Sequence, residues 1–268
     1  MLKDITLGQF FPGESIVHKL DPRTKLILTL VYIVALFTAK SYYSYGLMLI
    51  ILVACILLSK IKIKTILRSI KPLIIIILFT FILNMLFTGG THTVWHFWII
   101  TITLEGIQQA VTMIVRLIML IVGTFLLTYT TSPIALTDGL EYLMNPLKKI
   151  KVPVHELAMM MSIALRFIPT LIEETDKIIS AQKARGADFE SGNLIRRAKA
   201  MLPILVPLFI SAFRRADELA IAMESRCYHG GEGRTRMKQL IMRGIDISAL
   251  IMGAALLAGV IVMNIFGL

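Results

Sequence analysis

The sequence predicts an all-α integral membrane protein with about five transmembrane helices, two long membrane-apposed helices and one short one. Three observations carry this. The chain of 268 residues is 56% hydrophobic, above the roughly 45–50% of soluble domains. Its mean hydropathy is +0.78. Its apolar residues come in long blocks rather than mixed with charge, and several blocks reach the ~20 residues a helix needs to cross a bilayer.

The blocks are residues 24–40, 42–59, 72–88, 105–130 and 245–267. The first two are short and are parted only by the polar turn at Lys40, Ser41 and Tyr42. Tyr42, Tyr43 and Tyr45 have the character of an interfacial aromatic belt. The first twenty residues carry Asp4, Pro12, Gly13, Glu14 and His18 and lack an apolar core, so the first span is expected to act as the insertion signal. Between the third and fourth spans, residues 89–104 hold Thr91, Thr93, Trp95, Phe97, Trp98, Thr101 and Thr103. That composition predicts a short extended or re-entrant piece.

Basic residues orient the spans. Lys19, Arg23 and Lys25 precede the first; Lys60, Lys62, Lys64, Arg68 and Lys71 lie between the second and third. Lys148, Lys149 and Lys151 follow the fourth, and Arg236, Lys238 and Arg243 precede the fifth. The remaining connections hold only Lys40. Positive residues stay on the cytoplasmic side, which places the N-terminus in the cytoplasm and the C-terminus outside the plasma membrane. The same rule accounts for most of the net charge of +11. No nucleic-acid-binding motif follows that charge; the partner it implies is the lipid bilayer, with no nucleic acid.

Three segments follow: 1–130, an N-terminal membrane domain with four transmembrane helices; 131–243, a cytoplasmic helical region; and 244–268, a C-terminal transmembrane helix. The middle segment holds 17 Lys/Arg against 12 Asp/Glu, yet it keeps apolar stripes and is no solvated tail. Ser132 followed by Pro133 opens a short helix of about 133–150, with Pro146 late in it. A second helix runs 154–185, where Leu157, Met161, Leu165, Ile168 and Ile172 share one face. A third runs 192–227. Its stretch Met201 to Phe213 is apolar all round but too short to span, so it is expected to dip into the membrane or pack beneath the spans. Pro203 and Pro207 should bend it.

Both long helices end alike, in Ala184-Arg185-Gly186 and in Ser225-Arg226-Cys227. An arginine in the last turn favours the helix dipole and glycine caps the end. That accounts for Arg185-Gly186 better than for Arg226-Cys227, because Cys has no advantage at such a cap. The functional reading is that two arginine tips enter grooves on a pair of similar partners, where the guanidinium fork makes bidentate bonds.

Other residues carry less. Arg116 is the basic residue inside a span, costing about 2.5–3.5 kcal/mol at mid-bilayer; it should face the bundle, with Asn84 a candidate partner. Glu105 is eleven residues away, roughly 16 Å along a helix, and too far to pair. Met144, Met159, Met160, Met161, Met201 and Met223 serve either as core filling or as an adaptable docking surface. His92, His96, His155 and Glu156 do not match a metal motif, and Cys55 and Cys227 read as free thiols. No Walker A loop ends in Gly-Lys-Ser/Thr, which agrees with an expectation that neither ATP nor a cofactor is bound by this chain.

Leu20-Asp21-Pro22-Arg23-Thr24-Lys25-Leu26, Ala184-Arg185-Gly186 and Met223-Glu224-Ser225-Arg226-Cys227-Tyr228, in this order and spacing, resemble the transmembrane T component of energy-coupling-factor transporters (EcfT, related to CbiQ). The likeness covers nearly the whole chain. That family commonly shows Ala-Arg-Gly at both tips, so Ser225 and Cys227 depart from its pattern. The resemblance implies a non-catalytic coupling subunit of an ABC-type importer. Two ABC-type ATPases would dock on the arginine tips, and ATP-driven motion would pass to a separate small substrate-binding membrane subunit for vitamin or metal-ion uptake. A self-contained secondary transporter would call for mid-membrane ionisable residues and repeats, and Arg116 alone fits that. A membrane enzyme would need convergent acids or nucleophiles; Glu173, Glu174 and Asp176 read instead as a solvated or partner-facing patch. An ordinary ABC permease half would usually offer one docking loop, not two tips.

Overall fold

The computed structural model describes residues 10–89, 92–97, 100–189, 193–231 and 239–266. Its elements are helices apart from one hairpin: α1 Ile16–Lys19, α2 Pro22–Thr38, α3 Tyr42–Ser59, α4 Ile63–Ile70, α5 Ile74–Phe87, β1 Thr93–Phe97, β2 Ile100–Thr103, α6 Leu104–Thr130, α7 Pro133–Met144, α8 Val154–Ala184, α9 Leu194–Glu224 and α10 Gly244–Ile265. Arg236 and Lys238, two of the charges used to orient the last span, lie outside the described residues. So do the side chains of Trp95, His96 and Phe97.

By length and composition, five stretches are apolar enough to cross a bilayer: α3, the run Ile63–Phe87, α6, α8 and α10. This differs from the sequence expectation in two places. α2 has 17 residues, about 25 Å of helix, the lower end of what spans a membrane. α8 enters because its first half carries only Glu156 and Arg166 as charges. The basic connection at 60–71 is structured. It folds as α4, followed by a 3₁₀ turn at Lys71–Leu73, where Pro72 removes a backbone donor.

Contacts divide the chain into two compact units. One holds the described residues up to Gly139 together with those from Leu240 onward; the other runs from Leu140 to Gln239. In the first, α10 packs on α2 although more than 200 residues separate them. Ala35, Leu36, Met48, Met119, Tyr129 and Val260 lie in its core. Small residues permit the close approach: a Cβ on Gly123 of α6 would lie 2.4 Å from the Tyr32 ring of α2, and one on Gly253 of α10 would lie 2.5 Å from Leu28. Between helices in lipid, where apolar burial gives little drive, such contact supplies the association. No α5 residue is buried; an apolar outer surface is what lipid solvates.

β1 and β2 form an antiparallel hairpin, with Thr93 opposite Thr103 and Phe97 opposite Ile100. The extended piece expected at 89–104 is therefore present. Thr103 caps α6, its hydroxyl accepting from Gly106 N at 3.1 Å.

In the second unit, α8 and α9 are 31 residues each. The 3₁₀ stretch Asn145–Ile150 replaces the end of the expected short helix, as Pro146 dictates. Pro203 and Pro207 lie inside α9. Met201, Leu202, Leu205, Val206, Phe209 and Ile210 remain exposed on it.

Candidate functional site

The two helix ends singled out by the sequence have the same backbone. At the end of α8, Gly186 N donates to Lys183 O at 3.0 Å and Ala187 N to Gln182 O at 3.0 Å. At the end of α9, Cys227 N donates to Glu224 O at 2.9 Å and Tyr228 N to Met223 O at 3.1 Å. The paired bonds close the last carbonyls of each helix as a Schellman turn does. Every one of these positions is matched by another 41 residues on. The motif needs a left-handed residue after the arginine: Gly186 has φ 87° and Cys227 has φ 57°. Cys227 thus takes the glycine conformation despite its Cβ, and the departure from Ala-Arg-Gly leaves the turn unchanged. Ser225 turns its hydroxyl onto Ala222 O at 3.0 Å. Ala184, Arg185, Gly186, Ser225, Arg226 and Cys227 are all exposed, and Cys227 is a free thiol.

A contact missed by sequence reasoning joins the two helices. Glu174 Oε2 accepts from Arg215 Nη2 at 2.7 Å, and its other oxygen accepts from the Ser211 hydroxyl. Glu174 precedes Arg185, and Arg215 precedes Arg226, by the same eleven residues. Each tip therefore stands about 16 Å along its helix beyond the ion pair.

The Asp21 to Lys25 motif is almost wholly buried. Asp21, Arg23, Thr24 and Lys25 are each at most 7% exposed. Pro22 occupies the first turn of α2, and Asp21 caps it, Oδ1 accepting from Arg23 N at 2.9 Å. Asp21 N in turn donates to Asp246 Oδ1 at 2.7 Å. The other Asp246 oxygen accepts from Arg243 N at 2.8 Å, capping α10. Arg23 Nη2 donates to Leu240 O at 3.0 Å. Lys25 Nζ donates to Thr130 O at 2.8 Å and His18 O at 3.2 Å. His18 Nε2 donates to Phe11 O at 3.0 Å, so its Nδ1 accepts from Ser15. Burial pushes the His18 pKa below 6.5, opposed by the Phe11 carbonyl and helped by the Lys25 charge.

This knot gathers the start of α2, the end of α6 and the start of α10. The segment from α7 to α9 therefore leaves the bundle and re-enters it at the same end.

Arg116 turns into the bundle, but not to Asn84. Asn84 Nδ2 donates to Thr80 O on its own helix at 2.9 Å. Arg116 Nε donates to the Tyr45 hydroxyl at 2.9 Å and Nη2 to Ala39 O at 3.2 Å. The Ala39 carbonyl at the end of α2 carries no side-chain signature, which is why numbering alone chose Asn84. Asn264 completes that end: its Oδ1 accepts from Lys40 N at 3.2 Å, and its Nδ2 donates to Thr38 O at 2.5 Å. Asp246 and Asn264 so bind opposite ends of α2, which makes α2 and α10 parallel. Among the described residues, no group of three or more His, Cys, Asp or Glu comes together to hold a metal.

These features define a multi-pass membrane protein with a paired-helix region carrying two equivalent arginine ends. Residues 13–237 match the family model CbiQ, described as cobalt transport protein. The chain is 55% identical over 258 residues to the energy-coupling factor transporter transmembrane protein EcfT of Thermosediminibacter oceani, covering 96% of this chain and 97% of that one. It is 58% identical over 246 residues to the protein of the same name from Acidaminococcus fermentans, covering 92% and 91%. With that from Bacillus subtilis it shares 48% over 251 residues, covering 94% and 95%. The chain belongs to this CbiQ family.

Proposed function

We propose that the chain is the transmembrane coupling subunit of an energy-coupling-factor importer. Two ABC-type ATPases dock on its arginine tips, and a separate small membrane subunit binds the vitamin or metal ion. The chain is then non-catalytic and binds no ATP. The observation that carries this reading is the equivalence of the two tips: the same hydrogen bonds recur 41 residues apart around an exposed arginine. Two like ends suit two like lobes. The end of the bundle where α6 finishes and α10 begins is the cytoplasmic one on this reading, since α4 and the 3₁₀ turn after it carry Lys64, Arg68 and Lys71. The exposed apolar stretch of α9 around Met201 and Phe209 is a surface on which the substrate-binding subunit rests.

The test is co-purification. The tagged chain, solubilised from its native membrane in mild detergent, should bring down two ABC-type ATPases and a small membrane protein. Arg185→Ala and Arg226→Ala should each weaken ATPase retention, since a charge-assisted bond contributes about 1.5–3 kcal/mol, and the double variant should lose more. Full assembly and transport in the double variant would remove the docking role. A chain that purifies alone and transports a solute in liposomes is a secondary transporter.

A further inference from the structure

Between Asp21 and Glu105 the chain has no acidic residue. Within that interval Lys60, Lys62, Lys64, Arg68 and Lys71 crowd into twelve positions where α3 hands over to α5. All five are exposed, and no carboxylate pairs with any of them among the described residues. Lys64 and Arg68 lie four apart on one side of α4, and Lys71, three further on, continues that side at its C-cap. The other side of α4 is apolar and divided. Ile66 is buried in the bundle core, and the Tyr129 hydroxyl donates to Ser69, so the helix is pinned in place. Ile63 and Leu67 are left 62% exposed.

A solvated positive loop needs neither a pinned helix nor an exposed apolar ridge. A helix with cations on one side and apolar residues on the other, continuous with a lipid-facing span, lies in the membrane interface. Its apolar ridge meets the acyl boundary and its cations sit among the headgroups. Clusters of four to eight cations on such a helix attract anionic lipid.

We propose that α4 is a binding site for anionic phospholipid, with lipid phosphates held by Lys64, Arg68 and Lys71 and flanked by Lys60 and Lys62. The source of the negative charge is the bilayer itself, in which α5 is already immersed.

The full chain, reconstituted in phosphatidylcholine membranes, tests this with trace spin-labelled phosphatidylglycerol or spin-labelled phosphatidylcholine. The motionally restricted fraction should favour the glycerol lipid, by about fivefold for each cation engaged, and raised salt should shrink the preference. Lys64→Gln, Arg68→Gln and Lys71→Gln together should bring it close to unity. Lys64→Arg with Lys71→Arg, which keeps charge and fold, should retain it. Equal association of the two lipids with the wild-type chain would overturn the site. So would a triple-Gln variant that keeps the preference, or one that loses an acidic protein from native-membrane purification while lipid selectivity stays unchanged.

Discussion

Glu174 of α8 and Arg215 of α9 meet at 2.7 Å, and each stands eleven residues before the arginine that ends its helix. A contact between positions that correspond is what a two-fold relation between the helices produces, and it sets both tips at one distance from the shared point. The pair is about a third to a quarter exposed, so it contributes on the order of 1 kcal/mol or less. Its effect should appear in geometry. With spin labels at Lys183 and Glu224, Glu174→Ala should broaden the distance distribution while leaving the melting temperature nearly unchanged. An unaltered distribution would mean that other contacts fix the tips.

The second tip holds stored strain. Cys227 has φ 57°, and the left-handed conformation costs an L-residue about 1–2 kcal/mol. Cys227→Gly should therefore protect the amides of Cys227 and Tyr228 in hydrogen exchange by up to roughly tenfold, the equivalent of about 1.4 kcal/mol. Gly186→Ala, at φ 87°, should do the opposite at the first tip. Faster exchange in Cys227→Gly would show that the thiol makes a compensating contact.

Asp246 holds two helix starts at once. Removing its carboxylate leaves the amides of Asp21 and Arg243 without acceptors, and each costs about 1–3 kcal/mol when buried. Asp246→Ala should lower the unfolding midpoint in detergent well below that of Asp246→Asn, which keeps one carbonyl oxygen. Equal midpoints for the two variants would show that charge alone matters there.

How far these features can be read from sequence follows from their range. The spans, the two long helices and the capped tips are local: each depends on residues within a turn or two, so apolar blocks, Pro133 and Arg185-Gly186 disclose them. The Asp21–Asp246 bond joins positions 225 residues apart, and nothing around Asp246 beyond its place three residues after Arg243 announces it. Glu174 reads as part of a solvated or partner-facing patch because its partner, Arg215, sits on another helix. Cys227 hid a glycine-like turn behind a residue that rarely adopts one. Topology rules weigh the charge of the stretch at 60–71 and ignore the Ile63, Ile66, Leu67 and Ile70 pattern that makes it α4.

Arg116 brings these strands together in the last prediction. Its guanidinium reaches the Tyr45 hydroxyl and the Ala39 carbonyl, and its carbon lies 6.0 Å from the Phe37 ring and 5.7 Å from the Tyr45 ring. It thus ties α6 to the α2–α3 turn. Arg116→Ala should reduce the monodisperse yield after solubilisation while turnover per folded complex stays normal. Arg116→Lys should rescue only part of the yield, because an ammonium cannot span both acceptors as the planar fork does. Tyr45→Phe should lower the yield too, and combining it with Arg116→Ala should add less than the sum, with a coupling of about 0.5–3 kcal/mol. Normal yield with abolished transport in Arg116→Ala would instead place this arginine in the transport step, as a secondary transporter would require.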